Sequence, residues 1–404
     1  MVALALWTSA CPTMTYPLYQ AEWGVSTTAI TWIFAAYPII LIPVLIVFGD
    51  LSDHIGRRAS ILIGLVAELI GALLFAVAGD VLWLLVGRAF MGIGVGLSIS
   101  PANVAMVEFS APGQDKRAGA ISTAISALGI GLAMVLGGAL TEYAPFPLHL
   151  NFFVLAATIA AVACLVLFMP HHTPDETREP WRIRTIVIPR GSRVVFLAGS
   201  IAFASSFLLG AIVLPLGAKI AQQLAGSTNA LMTGALLSVF AACITLFALV
   251  ARRMHVWLLV VLGAGGSLTA VWLFVATGLV HSLALFFFAS AVAGAAYAFD
   301  FAGGLTVFSR YAAPHHRASM VSGGYLIGYI AQGVGAPALG AVVTAHGLLT
   351  GLLTGATAFG AFFVVVLIGG LTVLAPLHRR GRHAARRTLA ASQVSPAAEA
   401  EVGS

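Results

Sequence analysis

The chain has 404 residues, 60% of them hydrophobic and only 8% charged, with 43 glycines and a mean hydropathy of +1.01. A soluble domain carries roughly a quarter charged residues, so this composition excludes a water-soluble enzyme of comparable size. A spanning helix uses about 20 apolar residues, and the length accommodates a dozen with short loops. The net charge of +6 would suggest a nucleic-acid partner in a soluble protein; here the placement of the basic residues matters more than their sum, and no nucleic-acid partner is expected.

Apolar segments lie near 3–20, 28–48, 59–79, 82–109, 118–140 and 149–170. A second set lies near 194–218, 229–250, 255–278, 282–309, 318–345 and 347–376, so an all-α membrane protein of twelve helices is predicted. The first segment carries Pro12 and Pro17 and lacks a charged start and a small-residue cleavage site, so it is expected to remain as a span. Cys11, Cys164 and Cys243 fall inside apolar stretches with no metal-ligand or redox spacing, which reads as packing.

Cytoplasmic loops hold the excess of Lys and Arg. The even-numbered junctions carry Arg57 and Arg58; Lys116 and Arg117; Arg178, Arg182, Arg184, Arg190 and Arg193; Arg252 and Arg253; and Arg310 and Arg317. With Arg379, Arg380, Arg382, Arg386 and Arg387 after the last span, eighteen of the twenty basic residues fall on one side. The odd-numbered junctions hold Lys219 with Glu22, Asp80 and Glu142, and Arg88 lies within a helix. Both ends are therefore predicted to be cytoplasmic. The long junction His171–Arg193, with Pro174, Pro180 and Pro189, reads as a linker between six-helix bundles at 1–170 and 194–376. Arg117-Ala118 recurs as Arg317-Ala318, with Ser122 and Ser322 in step, which suits a parallel repeat. Residues 377–404 are basic, then rich in Ala, Ser and Glu, and are expected to be a disordered tail.

Between the second and third spans stands Gly49-Asp50-Leu51-Ser52-Asp53-His54-Ile55-Gly56-Arg57-Arg58. Gly49 permits close helix packing and Gly56 a tight turn, while Asp53 and the arginine pair fix opposite charges at the membrane edge. The stretch resembles the G-x-L-x-D-x-x-G-R-K/R signature of the major facilitator superfamily, and the resemblance extends more loosely over the whole chain. It implies two pseudo-symmetric six-helix bundles and a cytoplasmic gate. Asp53 would face the start of the eleventh span near Arg317 to Ser319, and Arg57 would approach Glu108 at the end of the fourth. The alternative is that these charges only set topology. The second half keeps positive charge at Ala251-Arg252-Arg253-Met254 without the glycine and aspartate, so an asymmetric latch is expected.

An ionised side chain at a helix centre costs about 2.5–3.5 kcal/mol on insertion scales and needs a partner, water or a function. Arg88, in Gly87-Arg88-Ala89-Phe90-Met91-Gly92, is similar to the family's fourth-helix R-x-x-x-G motif, which the resemblance associates with proton coupling; Met91 replaces the usual glutamine. Lying about 10 Å from the outer end at 1.5 Å per residue, it could instead snorkel to the interface. Asp300 is the only acidic residue well inside the second bundle, read either as a proton carrier or as a partner to a basic residue at the cytoplasmic edge. Glu68, mid-span in the third helix, reads either as a hydrogen-bonded packing residue or as a further proton carrier.

Gly129, Gly131, Gly137 and Gly138 in the fifth span resemble the G-x-x-x-G-P-x-x-G-G antiporter motif, with Ala133-Met134 in place of Gly-Pro, and give a close-packing face in either case. Pro337 marks a kink in the eleventh span. On the family pattern a cavity lies between helices 1, 2, 4, 5, 7, 8, 10 and 11. Tyr325, Tyr329 and Gln332 share a stripe of the eleventh, and Tyr16, Tyr37, Asn103, Ser126 and Tyr297 complete a candidate aromatic, weakly polar site. Such stripes also serve plain helix packing. No phosphate-binding loop, hydrolase motif or metal-ligand cluster occurs, so neither an enzyme nor a cofactor or metal is expected, and His171-His172 and His315-His316 read as loop histidines. The reading is a monomeric secondary transporter in the bilayer, exporting small amphipathic compounds with protons as coupling ion, closest in pattern to the twelve-helix drug:proton branch. Transport of a neutral metabolite such as a sugar or organic acid, or a non-transporting sensor, are the alternatives. Eighteen arginines against two lysines, with abundant Ala and Gly, suggest a GC-rich bacterium and its plasma membrane.

Overall fold

The structure is a computed structural model and describes residues 1–49, 51–108, 115–169, 188, 192–311 and 317–376; of these, the side chains of 107–108, 115–124, 127, 311 and 317–318 are outside the description. The first crossing is broken: α1 (Val2–Ala10) passes into a 3₁₀ turn at Cys11–Met14 and resumes as α2 (Tyr16–Trp23). Pro12, at the start of the 3₁₀ turn, supplies no amide hydrogen to continue the ladder of α1, and Pro17 falls in the first turn of α2, where a missing amide hydrogen is tolerated. Here the structure departs from the single helix expected over 3–20.

The second crossing is α3 (Thr27–Phe48), started by Ser26, whose hydroxyl accepts from Ala29 N at 3.2 Å. A one-turn helix, α4 (Leu51–Ile55), occupies the charged signature. Gly56, at φ 86°, reverses the chain into α5 (Arg57–Ala76), a conformation that favours glycine. Asp80 then caps α6 (Val81–Glu108), accepting from Leu82 N at 2.8 Å and Trp83 N at 3.3 Å. The remaining crossings are α7 (Asp115–Tyr143), α8 (Leu150–Val166), α9 (Arg193–Gln223), α10 (Ala230–Ala251), α11 (Val256–Val280), α12 (Leu283–Tyr311), α13 (Arg317–His346) and α14 (Leu348–Gly369).

Among the described residues nine helices are individually long and apolar enough to cross a bilayer. The shorter apolar helices of α7 and α8 and the broken first crossing bring the total to twelve. The fold is the predicted one of two six-helix bundles. Within each, a tight antiparallel pair recurs, α5 with α6 and α11 with α12; the bundles meet along α3 with α13 and α7 with α10. Glycines set these approaches. A Cβ on Gly129 would run into the Ala3 carbonyl of α1, and one on Gly138 would stand 2.5 Å from the Ala230 carbonyl of α10. The main core runs from Val2 to Phe363 through both bundles, while Trp32, Leu82, Phe288 and Val334 stay exposed on outer faces, as lipid-facing positions do. The junction 171–193 lies outside the described residues apart from Ile188, Ser192 and Arg193, as does 377–404.

Candidate functional site

A cavity of about 380 Å³ opens between α3, α6 and α13, lined by Leu41, Leu45, Asn103, Tyr325 and Tyr329 among others, with no charged side chain among the described residues of its wall. It extends to Gly49, Val104 and Val321, near the helix ends of the arginine-rich side. Tyr325 and Tyr329, one helical turn apart, belong to an aromatic wall shared by α9, α12 and α13. Phe203 lies 4.6 Å from Phe301 and 4.9 Å from Tyr325, ring centre to centre, and Phe207 lies 4.8 Å from Tyr329. Tyr297 stacks with Phe301 at 6.1 Å. The structure thus brings Asn103, Tyr297, Tyr325 and Tyr329 to one region. Gln332 is buried beside Gly210 of α9. Tyr16 is buried, Ser126 is half-buried, and neither lines this cavity. Phe203, Phe207 and Phe301 were not singled out from sequence, although Phe203 with Phe207 and Tyr297 with Phe301 stand at the i, i+4 spacing that places rings on one face.

The opposite end of the bundle interface is sealed. Thr28 N donates to Thr344 Oγ1 at 2.9 Å, and Thr28 Oγ1 to the Gly340 carbonyl at 3.2 Å, joining α3 to α13. Lys219 Nζ donates to Thr27 Oγ1 at 2.6 Å, so the one basic residue of the outer junctions spans the two bundles. Glu142 on α7 accepts from Ala230 N at 2.6 Å, setting an anion on the positive end of α10. Asn229 Nδ2 donates to Tyr143 Oη at 3.2 Å alongside. The chain is therefore closed on its outer side, with its cavity toward the arginine-rich side.

Arg88 is fully buried and does not snorkel. Its Nη1 donates to the Ser9 carbonyl at 3.0 Å and its Nη2 to the Phe34 carbonyl at 3.4 Å. Pro38 explains the second acceptor: four residues on from Phe34 it offers no N–H, leaving that carbonyl without its helical partner. The guanidinium also sits 4.8 Å from the centre of the Tyr37 ring and 5.7 Å from that of Phe34, a cation–π arrangement. Arg88 thereby ties α6 to α1 just before its break and to α3 just before its proline.

Glu68 is fully buried; Thr8 Oγ1 donates to its Oε2 at 3.0 Å and Ser98 Oγ to its Oε1 at 3.1 Å. Asp300, equally buried, accepts from Ser267 Oγ at 2.8 Å through Oδ2. Among the described residues its hydrogen-bond partner is this hydroxyl. At the charged signature, Gly49 lines the cavity, Arg57 is buried, and Arg58 Nη1 donates to the Met169 carbonyl at 3.1 Å beyond α8. Ser52 Oγ donates to Asp53 Oδ1 at 3.5 Å. The expected approaches of Asp53 to 317–319 and of Arg57 to Glu108 fall on side chains that, Ser319 apart, lie outside the described residues. Gly137 packs against Met14 and Asn151, and Pro337 of α13 is buried, lining a groove with Trp32 of α3. No cluster of three metal-binding side chains exists among the described residues.

A family model described as the Major Facilitator Superfamily matches residues 1–266. The protein called uncharacterized MFS-type transporter EfpA, from Mycobacterium tuberculosis, is 32% identical over 144 residues, 35% of this chain and 27% of its own. Puromycin resistance protein pur8 of Streptomyces alboniger is 29% identical over 153 residues, 37% of this chain and 30% of its own. The multidrug efflux pump LfrA of Mycolicibacterium smegmatis is 30% identical over 166 residues, 41% and 32% of the two chains. The chain thus matches less than a third of the length of each of these relatives. Among solved structures, the nucleoside transporter NupG superposes with a TM-score of 0.71 at 17% identity, covering 92% of this chain and 96% of its own. A bacterial homolog of the human lysosomal transporter Spinster, inward-facing and occupied, gives 0.69 at 18% identity, with 92% and 94% covered. At these identities the likeness is one of fold.

Proposed function

The chain belongs to the major facilitator superfamily of membrane transporters, and from that premise we propose that it exports small amphipathic compounds by alternating access, in exchange for protons, across a bacterial plasma membrane. The carrying observation is the cavity between α3, α6 and α13: apolar walls, a cluster of tyrosine and phenylalanine rings, and a few neutral polar groups. Such a wall suits a flat, partly apolar molecule, and its ring faces attract delocalised cations. The described residues of the wall carry no fixed charge, so they offer nothing to offset the desolvation of an anionic sugar phosphate or nucleotide. The relative named as a multidrug efflux pump, LfrA, supports the same direction of transport. The gate residues Gly49, Asp53, Gly56, Arg57, Arg58 and Glu108 are assigned to the cytoplasmic latch, and the bundles 1–170 and 194–376 to its two moving parts.

The test is flux in proteoliposomes with ethidium as the probe. A pH gradient is expected to drive its accumulation, whereas equilibration independent of pH would overturn proton coupling and binding without flux would overturn transport. Replacing Tyr325 and Tyr329 together by alanine is expected to raise KM about tenfold, on the order of 1–2 kcal/mol for two ring contacts, with pH dependence retained. An unchanged KM would remove the aromatic wall from the binding site.

A further inference from the structure

Two buried carboxyls occupy matching places in the two bundles. Glu68 is the twelfth residue of α5, and Ser267 the twelfth of α11. Ser98 is the eighteenth residue of α6, and Asp300 the eighteenth of α12. The eighth residue of α5 and of α11 is in both cases glycine, Gly64 and Gly263, and a Cβ there would collide with Ser98 and with Asp300 respectively. Each bundle therefore closes its third helix on its fourth with one hydroxyl–carboxyl hydrogen bond at the same point, Ser98 to Glu68 at 3.1 Å and Ser267 to Asp300 at 2.8 Å. Between the halves the acid and the serine have exchanged helices.

The second carboxyl oxygen separates the two pairs. Glu68 Oε2 accepts from Thr8 on α1, whereas Asp300 Oδ1 is buried without a hydrogen-bond partner among the described residues. On α9, the first helix of the second bundle, buried Ser206 donates to the Phe203 carbonyl of its own helix at 2.7 Å. Thr8 stands three residues before the 3₁₀ break at Cys11–Met14, and the carbonyl of the next residue, Ser9, is held by Arg88. The N-terminal pair thus reaches a broken crossing, while the C-terminal pair stays within the α11–α12 contact.

We propose that Glu68 is the proton site of the transport cycle, positioned by Thr8 on the broken first crossing, and that Asp300 is its transposed counterpart with a structural role only. The inference rests on the proton-coupled export proposed above. As a carboxylate, Glu68 accepts from both hydroxyls; with a proton on Oε2 it becomes a donor, and Thr8 must turn its hydroxyl to accept. Each protonation state then holds α1 differently, and a shift of α1 at its break uncovers the carboxyl to water. Among the described residues, the titratable side chain coupled to Glu68 is the Tyr37 hydroxyl from α3. Arg88 of α6 is turned to Ser9, Phe34 and Tyr37, and α8 has no charged residue. On α11, Ser267 donates to Asp300, and Gly263 lies against it.

The experiment compares the full chain with Glu68→Gln, Thr8→Val and Asp300→Asn in proteoliposomes, using ethidium and a gradient of about one pH unit, which supports roughly tenfold accumulation at one proton per substrate. Glu68→Gln is expected to lose that accumulation, with residual flux insensitive to pH. Thr8→Val is expected to move the midpoint of the pH–rate profile by about a unit, and Asp300→Asn to keep both accumulation and midpoint while losing thermal stability. Should Glu68→Gln fail to fold, the Thr8→Val midpoint decides. Accumulation by Glu68→Gln, an unmoved midpoint in Thr8→Val, or loss of coupling in Asp300→Asn overturns the assignment and leaves proton-coupled export standing. A wild-type chain whose flux ignores the gradient overturns both.

Discussion

Replacing Arg88 by methionine is expected to lower transport at least about tenfold and to destabilise the folded chain measurably. The substitution removes the donors to the buried Phe34 carbonyl and the partly buried Ser9 carbonyl, and an orphaned buried acceptor costs about 1–3 kcal/mol. A control follows from the cause. Pro38→Ala restores an amide to the helix, so the Phe34 carbonyl regains its own partner and Arg88 becomes less necessary there. The double variant should then lose less stability than the sum of the single variants, by roughly 0.5–2 kcal/mol in a cycle of thermal unfolding in detergent. Strict additivity would mean that Arg88 and the Pro38 gap are unrelated. Transport equal to wild type in Arg88→Met would show that tying α6 to α1 and α3 is dispensable.

The second large effect is expected at the outer seal. At the α7–α10 crossing, Gly138 lies against the Ala230 carbonyl, and Gly234 faces the Met134 carbonyl in return. Both neighbours are backbone, so no rotamer change makes room for a new side chain. Gly138→Val should therefore hold the bundles apart on the outer side, reduce transport at least about tenfold, and increase thiol labelling of a cysteine placed at Thr28. Thr28→Val removes hydrogen bonds without adding bulk, so its effect should be far smaller, on the order of 1 kcal/mol. If Gly138→Val transported normally and left labelling unchanged, the close crossing would not be part of the cycle.

Much of this architecture was legible before any coordinates. Spans of about 20 apolar residues and arginines at alternate junctions fix the number of crossings and their direction, because charge and exposed backbone are excluded from lipid. The Tyr325–Tyr329 stripe followed from helical spacing alone. The rest depended on which faces meet. Pro12 and Pro17 were visible as helix breakers, yet the 3₁₀ turn between them is set by packing against α7 and by the Asn151 side chain, which donates to the Cys11 carbonyl. Arg88 could be recognised as a buried charge, but its acceptors are backbone carbonyls on α1 and α3, and backbone carries no residue signature. The Glu68–Ser98 and Ser267–Asp300 pairs are not legible in the sequence for a related reason: the acid changes helix between the halves, so aligning the repeats residue type by residue type hides them.

In the proposed cycle the two bundles alternate between outer and inner closure around the aromatic cavity. Electron–electron distance measurements test it most directly, on a chain whose Cys11, Cys164 and Cys243 are replaced. One spin-label pair sits on exposed outer positions, Phe146 and Val280, and the other on exposed inner positions, Phe168 and Arg253. Lowering the pH and adding ethidium should lengthen one distance while shortening the other, with two populations in each distribution. A single, unchanging distance on both sides, in protein that binds ethidium, would contradict alternating access.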